Sequence, residues 1–186
     1  MTTASDAWIR PLRITATVLA ALLVLTLLAF FDDPPGVWVI AGALVGLGLL
    51  ILLVLHRPSV AVPLLWALTV AASVGWLSGH SELEALQPIA DAYDRVGIPA
   101  EMILTIAMVV LAWRRAIPAG LMICVYWIVV PWLAELLPSE VLESDFADFT
   151  TGFDAVVFLL LPGPLFIIAG LIERRGARPP IPAAGG

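Results

Sequence analysis

Six apolar runs without a single charged side chain divide this sequence, at residues 14–31, 37–55, 60–77, 102–113, 117–134 and 155–172. About 20 helical residues cross a hydrocarbon core roughly 30 Å thick. Hydrocarbon offers no partner to a backbone N–H or C=O, so runs of this kind fold as helices that satisfy their own backbone. Six crossings use about 120 residues of the 186 present, which leaves connections and no folded domain outside the membrane. The sequence therefore predicts an all-α fold: a polytopic six-transmembrane-helix bundle with short amphipathic outer-face helices. The expected spans are 14–31, 37–55, 60–77, 99–115, 117–137 and 153–172. They are flanked by a cytoplasmic N-terminal segment, 1–13, and a cytoplasmic flexible tail, 173–186. The fourth run is the shortest; starting its helix at Pro99 and ending it near Arg115 makes it long enough, with Glu101 at the interface.

Composition narrows the function classes. Apolar residues make up 61% of the chain, against roughly 45–50% in soluble domains even with glycine included. Nine basic residues and one cysteine exclude a nucleic-acid partner and a disulfide scaffold. Orientation follows from the arginines, because inner loops carry the positive charge. With both termini cytoplasmic, Arg10, Arg13, Arg57, Arg114, Arg115, Arg174, Arg175 and Arg178 lie inside, and Arg95 alone lies outside. Among the acids, only Asp6 and Glu173 fall on the inner side. The expectation is a multi-pass protein of the cell membrane, with the lipid bilayer as its first partner. Arg10 and Arg13 do not open a cleaved signal. The run after them exceeds the usual 7–15 residues of such a segment and ends in Phe30-Phe31-Asp32-Asp33-Pro34-Pro35 instead of a small-residue site.

Helix punctuation agrees with these boundaries. Pro34, Pro35 and Pro99 suit first helical turns, and Ser59 or Pro118 can start the third and fifth spans. Ser81 with Glu84, and Thr151 with Asp154, read as capping boxes. Between the third and fourth spans Leu83, Leu86, Ala90 and Tyr93 recur at helical spacing, predicting a short interfacial helix bent at Pro88. In the last outer loop Val141, Leu142, Phe146, Phe149 and Phe153 alternate with acids, which fits a segment lying on the bilayer or a lid over a cavity.

Several chemistries are excluded by what the spans lack. None of the central runs holds an ionisable side chain, so a buried charge relay is not expected. The absence of lysine rules out a retinal Schiff base, and His56 and His80 fall at opposite membrane faces, so they cannot clamp a haem. No metal set and no hydrolase motif is present, and Cys124 reads as a small buried hydrophobe. No cofactor is implied.

Backbone chemistry supplies what these side chains do not. Pro131 leaves the carbonyl of Trp127 without its helical donor, and Pro162 and Pro164 do the same for Phe158 and Leu160. Broken helices of this kind line cavities, or they are structural kinks. At the outer face His80, Glu101, Glu135 and Asp154 fall near the ends of spans three to six, where they can surround a mouth. The candidate ligand-binding residues are thus His80, Glu101, Trp127, Pro131, Glu135, Asp154, Phe158 and Leu160. No catalytic residue and no metal ligand is assigned. Ala16-x-x-x-Ala20, Gly42-x-x-x-Gly46 with Gly48, and Ala67-x-x-x-Ala71 are expected to let helices approach closely. Size, six spans, cytoplasmic termini and the first of these motifs are loosely similar to substrate-binding subunits of energy-coupling vitamin transporters. No binding signature accompanies that similarity, and no family is assigned.

The leading expectation is an integral membrane binding or transport module for a small apolar or cationic molecule, with an outward-facing cavity. A non-catalytic accessory or scaffold subunit of a larger membrane complex, with another membrane protein as partner, is the alternative; a membrane enzyme using the outer carboxylates is the second. The topology itself is directly testable. Single cysteines replacing Arg57, Arg114, Arg174, Glu84 and Glu143 in a Cys124→Ala background should react with an impermeant reagent on intact cells only at positions 84 and 143. Strong labelling at 114 without labelling at 143 would overturn the orientation.

Overall fold

The structure, a computed structural model, describes residues 4–29, 36–79, 84–130 and 162–176, and no strand occurs among them. The helices are α1 (Ala4–Ala29), α2 (Val37–His56), α3 (Pro58–Gly79), α4 (Gln87–Arg114), α5 (Ala116–Cys124) and α6 (Pro162–Gly176). A 3-10 turn, Glu84–Leu86, leads into α4, and a π-helical turn, Val125–Val129, extends α5. Four of these are long and apolar enough to cross a membrane, over Trp8–Leu25, Val37–His56, Pro58–Ser78 and Val96–Arg114; Ala116–Val129 is apolar but shorter. The expected spans 37–55 and 60–77 match α2 and α3 closely. Helix α1 begins at Ala4, so most of the segment expected to precede the first span is already helical and continuous with it. The ends of the expected spans 117–137 and 153–172 that fall within 131–161, the last outer loop and the tail from 177 onward lie outside the described residues. Pro162 and Pro164 occupy the first turn of α6, and what precedes them is likewise outside.

Helix α4 departs from the expectation. Pro88 sits in its first turn, where a missing N–H has no intrahelical acceptor to lose, so it starts the helix instead of bending it. The helix then runs through Gly97 and Pro99 to Arg114, absorbing the interfacial helix expected before it. An interior proline costs about 3 kcal/mol in an isolated helix. Here Tyr93 and Glu101 are hydrogen-bonded to each other across Gly97 and Pro99, which holds the two parts in one register.

The rest of the fold is arranged around α4. Its buried face, Leu104, Ala107, Met108, Leu111 and Ala112, forms the centre of the core with Leu65 of α3, Met122 and Ile123 of α5, and Phe166 of α6. Helices α1, α2, α3 and α5 all pack on α4, α2 and α3 pack on each other, and α6 closes against α1 and α5. Polar residues on the buried face of α3 do not need partners from other helices. Thr69 and Ser73 donate to the carbonyls of Leu65 and Thr69 at 2.7 and 2.8 Å, and Ser78 donates to Gly75 at 2.7 Å.

The basic connections gather at one end. Arg13 pairs with Glu173 at 2.7 Å, joining the start of α1 to the end of α6. Trp113 Nε1 donates to Thr17 Oγ1 at 3.2 Å, and Thr17 donates to the Arg13 carbonyl at 2.7 Å, which brings the end of α4 to the same place. Near the other end Gly75, late in α3, meets Tyr93, early in α4. The two helices are therefore antiparallel, and Arg57 lies at the same end as Arg114.

Close helix approach occurs where the spacing motifs did not place it. Ala16 and Ala20 are buried, as expected, but Ala67 and Ala71 are exposed, and a Cβ built on Gly42, Gly46 or Gly48 meets nothing within 4 Å. Helix α2 buries only Val54. The tight seam is between α5 and α6. A Cβ on Gly120 would lie 2.7 Å from the Gly163 carbonyl oxygen, one on Gly163 would lie 2.5 Å from Cys124 Sγ, and one on Gly170 would lie 2.7 Å from Ile117 Cγ1. Small-residue spacing says that two backbones can approach, but not which face meets a neighbour. Gly120→Ala should therefore destabilise the protein by about 1–3 kcal/mol through overpacking. Gly46→Ala should stabilise it by about 0.5–1 kcal/mol through its helix propensity. Denaturation of the two variants in mild detergent reads both signs, and equal effects would remove the distinction.

Candidate functional site

Tyr93, Gly97, Glu101 and Thr105 follow one another at intervals of four along α4, so an unbroken helix aligns them on one face. That face meets α3 near Gly75 and α5 near Tyr126. The Tyr93 ring fits a slot between two glycines: a Cβ on Gly75 would lie 2.5 Å from Cδ2, and one on Gly97 would lie 2.8 Å from Cε1. Held there, Tyr93 donates its hydroxyl to Glu101 Oε1. Tyr126 donates to the same oxygen at 2.8 Å, and the two phenolic oxygens are 3.4 Å apart. Glu101 is 7% exposed and Tyr126 4%. A carboxylate has thus been removed from water and given two phenolic donors in exchange, which offsets part of a desolvation cost of several kcal/mol.

Tyr126 reaches this position from the π-helical turn of α5. Val130 N–H bonds the Val125 carbonyl, five residues back, directly before Pro131 in the sequence. The widened turn buries two consecutive aromatic side chains, Tyr126 and Trp127, whose rings meet edge to face at 5.0 Å and 85°. Such turns are common at functional positions because they re-aim side chains without ending the helix. Two further donors are left over beside the cluster. Trp127 Nε1 and Thr105 Oγ1 are buried without a hydrogen-bond partner. The Thr105 case stands out against Thr17, Thr69 and Ser73, each of which donates to the carbonyl four residues earlier.

Of the eight residues proposed from the sequence, Glu101 and Trp127 fall in this region, and both are buried. His80, Pro131, Glu135, Asp154, Phe158 and Leu160 lie outside the described residues, so the mouth they were expected to form and the freed carbonyls of Phe158 and Leu160 do too. Two expectations are corrected. Glu101 does not stand at a helix start; it is the fifteenth residue of the 28-residue α4, buried and inside the apolar stretch Val96–Arg114. An ionisable group does therefore occur within a helix long enough to span. Starting the helix at Pro99 had cut the four-residue series and hidden its relation to Tyr93. Among the described residues no group of three His, Cys, Asp or Glu side chains stands together to hold a metal.

Tyr93, Tyr126, Thr105, Gly75 and Gly97 were not assigned to a site by sequence reasoning. The spacing Tyr93-x-x-x-Gly97-x-x-x-Glu101-x-x-x-Thr105 was the available signal. Nothing local marks Tyr126, because its role depends on how α5 packs. No protein-family model, curated protein or solved structure matches the chain.

The cluster gives a direct energetic test. Tyr126→Phe removes one hydrogen bond to a charged acceptor and should cost about 1.5–3 kcal/mol. The same change in a Glu101→Gln background should cost at least about 0.5 kcal/mol less if the two groups are coupled. Additive losses in that double-mutant cycle would dissolve the cluster as an energetic unit.

Proposed function

We propose that this chain is a six-span integral membrane module, with both termini cytoplasmic, that binds a small apolar cation at Glu101. The observation carrying this reading is the burial of the Glu101 carboxylate within the apolar part of α4. Thirteen residues separate it from Arg114, about 20 Å at 1.5 Å per residue. With Arg114 at one boundary of a core roughly 30 Å thick, Glu101 lies about 10 Å below the opposite one. Ionisable side chains at such depth are costly and serve substrate or ion binding more often than stability. A cation placed beside this buried carboxylate would neutralise it where water cannot. Unpartnered Trp127 Nε1 and Thr105 Oγ1 supply donors for a polar group on the same ligand, and the Tyr126 and Trp127 rings supply faces for its apolar body.

The Arg13–Glu173 pair supports the six-span reading, since an even number of crossings brings the first and last helices to a common end. Arg10, Arg13, Arg57, Arg114, Arg115, Arg174 and Arg175 belong to the connections of that end, which makes it the cytoplasmic one under the positive-inside rule. An accessory-subunit role is the second reading, favoured by α2, which buries only Val54 and leaves its glycines open. A stable partner protein retained in native mass spectrometry would support that role.

Binding of radiolabelled tetraphenylphosphonium to the purified protein tests the leading proposal. The wild type should bind it, Glu101→Gln should weaken binding at least about tenfold, and Asp91→Asn, which removes an exposed charge from the same helix, should stay within about twofold. Equal losses in the two variants would reduce the effect to bulk charge, and no binding by the folded wild type would overturn the cation reading.

A further inference from the structure

Three exposed arginines stand on three different helices at one corner of the basic end. Arg10 precedes Arg13 by one turn of α1, Arg114 follows Trp113 on α4, and Arg174 follows Glu173 on α6. The pair Arg13–Glu173 and the bond from Trp113 to Thr17 hold these three helix ends against each other. Glu173 is the one acidic side chain described at this corner, and it is already engaged by Arg13. Among the described side chains, no second carboxylate is placed at this corner to meet the other arginines. Trp8, two residues before Arg10, and Trp113, next to Arg114, are 69% and 46% exposed. Tryptophan at that level suits the boundary between headgroups and acyl chains. Arg57 is at the same end but lies between α2 and α3, which pack on α4, whereas α1 packs on α4 and α6.

We infer that the α1–α4–α6 corner is a binding site for an anionic phospholipid of the adjoining leaflet. Its phosphate would be held by Arg10, Arg114 and Arg174, with its acyl chains against the exposed apolar flanks of α1 and α4. Guanidinium suits this task because its planar fork offers paired donors to phosphate oxygens. The apolar flank on α1 includes Ile14 and Val18, 54% and 53% exposed, which continue from the arginine level into the membrane. A free phosphate would use the arginines but not this surface. The inference does not depend on Glu101 or on any ligand there.

Native mass spectrometry of the purified chain in a neutral detergent, with added dioleoyl phosphatidylglycerol or dioleoyl phosphatidylcholine, tests the site. The wild type should retain phosphatidylglycerol at least about tenfold better than phosphatidylcholine. The triple variant Arg10→Gln, Arg114→Gln, Arg174→Gln should lose that preference, while Arg57→Gln should keep it within about twofold. A salt titration of the wild type reads the same contact without mutation, so misfolding of the triple variant does not leave the matter open: phosphatidylglycerol should dissociate as salt screens the arginines. Equal retention of the two lipids, salt-independent retention, or an Arg57→Gln loss as large as that of the triple variant would overturn the site. Displacement of the lipid by millimolar inorganic phosphate would replace it with a simple anion site.

Discussion

A hydrocarbon environment removes the usual driving force for helix association, because a lipid tail is as apolar as a leucine side chain. Helices hold together there through close backbone contact and through polar groups that have nowhere else to go. Both devices are present, and they act at different places. Gly120, Gly163 and Gly170 bring α5 and α6 into backbone contact. Glu101 draws hydroxyls from α4 itself and from α5 onto a single oxygen. Helix α2, which has neither device turned toward a neighbour, is correspondingly the most exposed of the long helices.

The two ends of α4 show how one helix can be polar in two senses. At one end Trp113 hydrogen-bonds α1 and Arg114 is exposed. Toward the other, Tyr93 and Glu101 are bound to each other around glycines that admit the tyrosine ring. Between them the face is leucine, alanine and methionine, against which the other helices pack. A charged group near a helix end is inexpensive because it reaches headgroups or water, whereas Glu101 has protein on every side and depends on its donors. That asymmetry makes the Glu101 region the candidate for ligand chemistry and the arginine end the candidate for lipid contact.

The partial order of the site also has a physical origin. Thr69 and Ser73 hide their hydroxyls by bonding to their own helix, a solution open to any threonine or serine in a helix. Thr105 has the same option with the Glu101 carbonyl and does not take it. Together with the indole N–H of Trp127 it leaves donors beside a carboxylate, an arrangement less stable than full satisfaction and more useful for binding.

Much of the fold was legible in the residues alone. The apolar runs of α2 and α3 carry their own boundaries, because length and hydropathy decide what crosses a membrane before any neighbour is considered. The collection of Arg13, Arg57 and Arg114 at one end was legible for the same reason, since charge stays out of the hydrocarbon. Tertiary structure decided the rest. It turned Gly42 and Gly46 outward and chose Gly120 and Gly163 for contact, it carried α4 unbroken through Pro99, and it placed Tyr126 against Glu101 across 25 residues of sequence. Local sequence determines whether a helix forms and how far it reaches. Which face it turns inward, and which donor meets a buried carboxylate, depends on the combined fit of several helices.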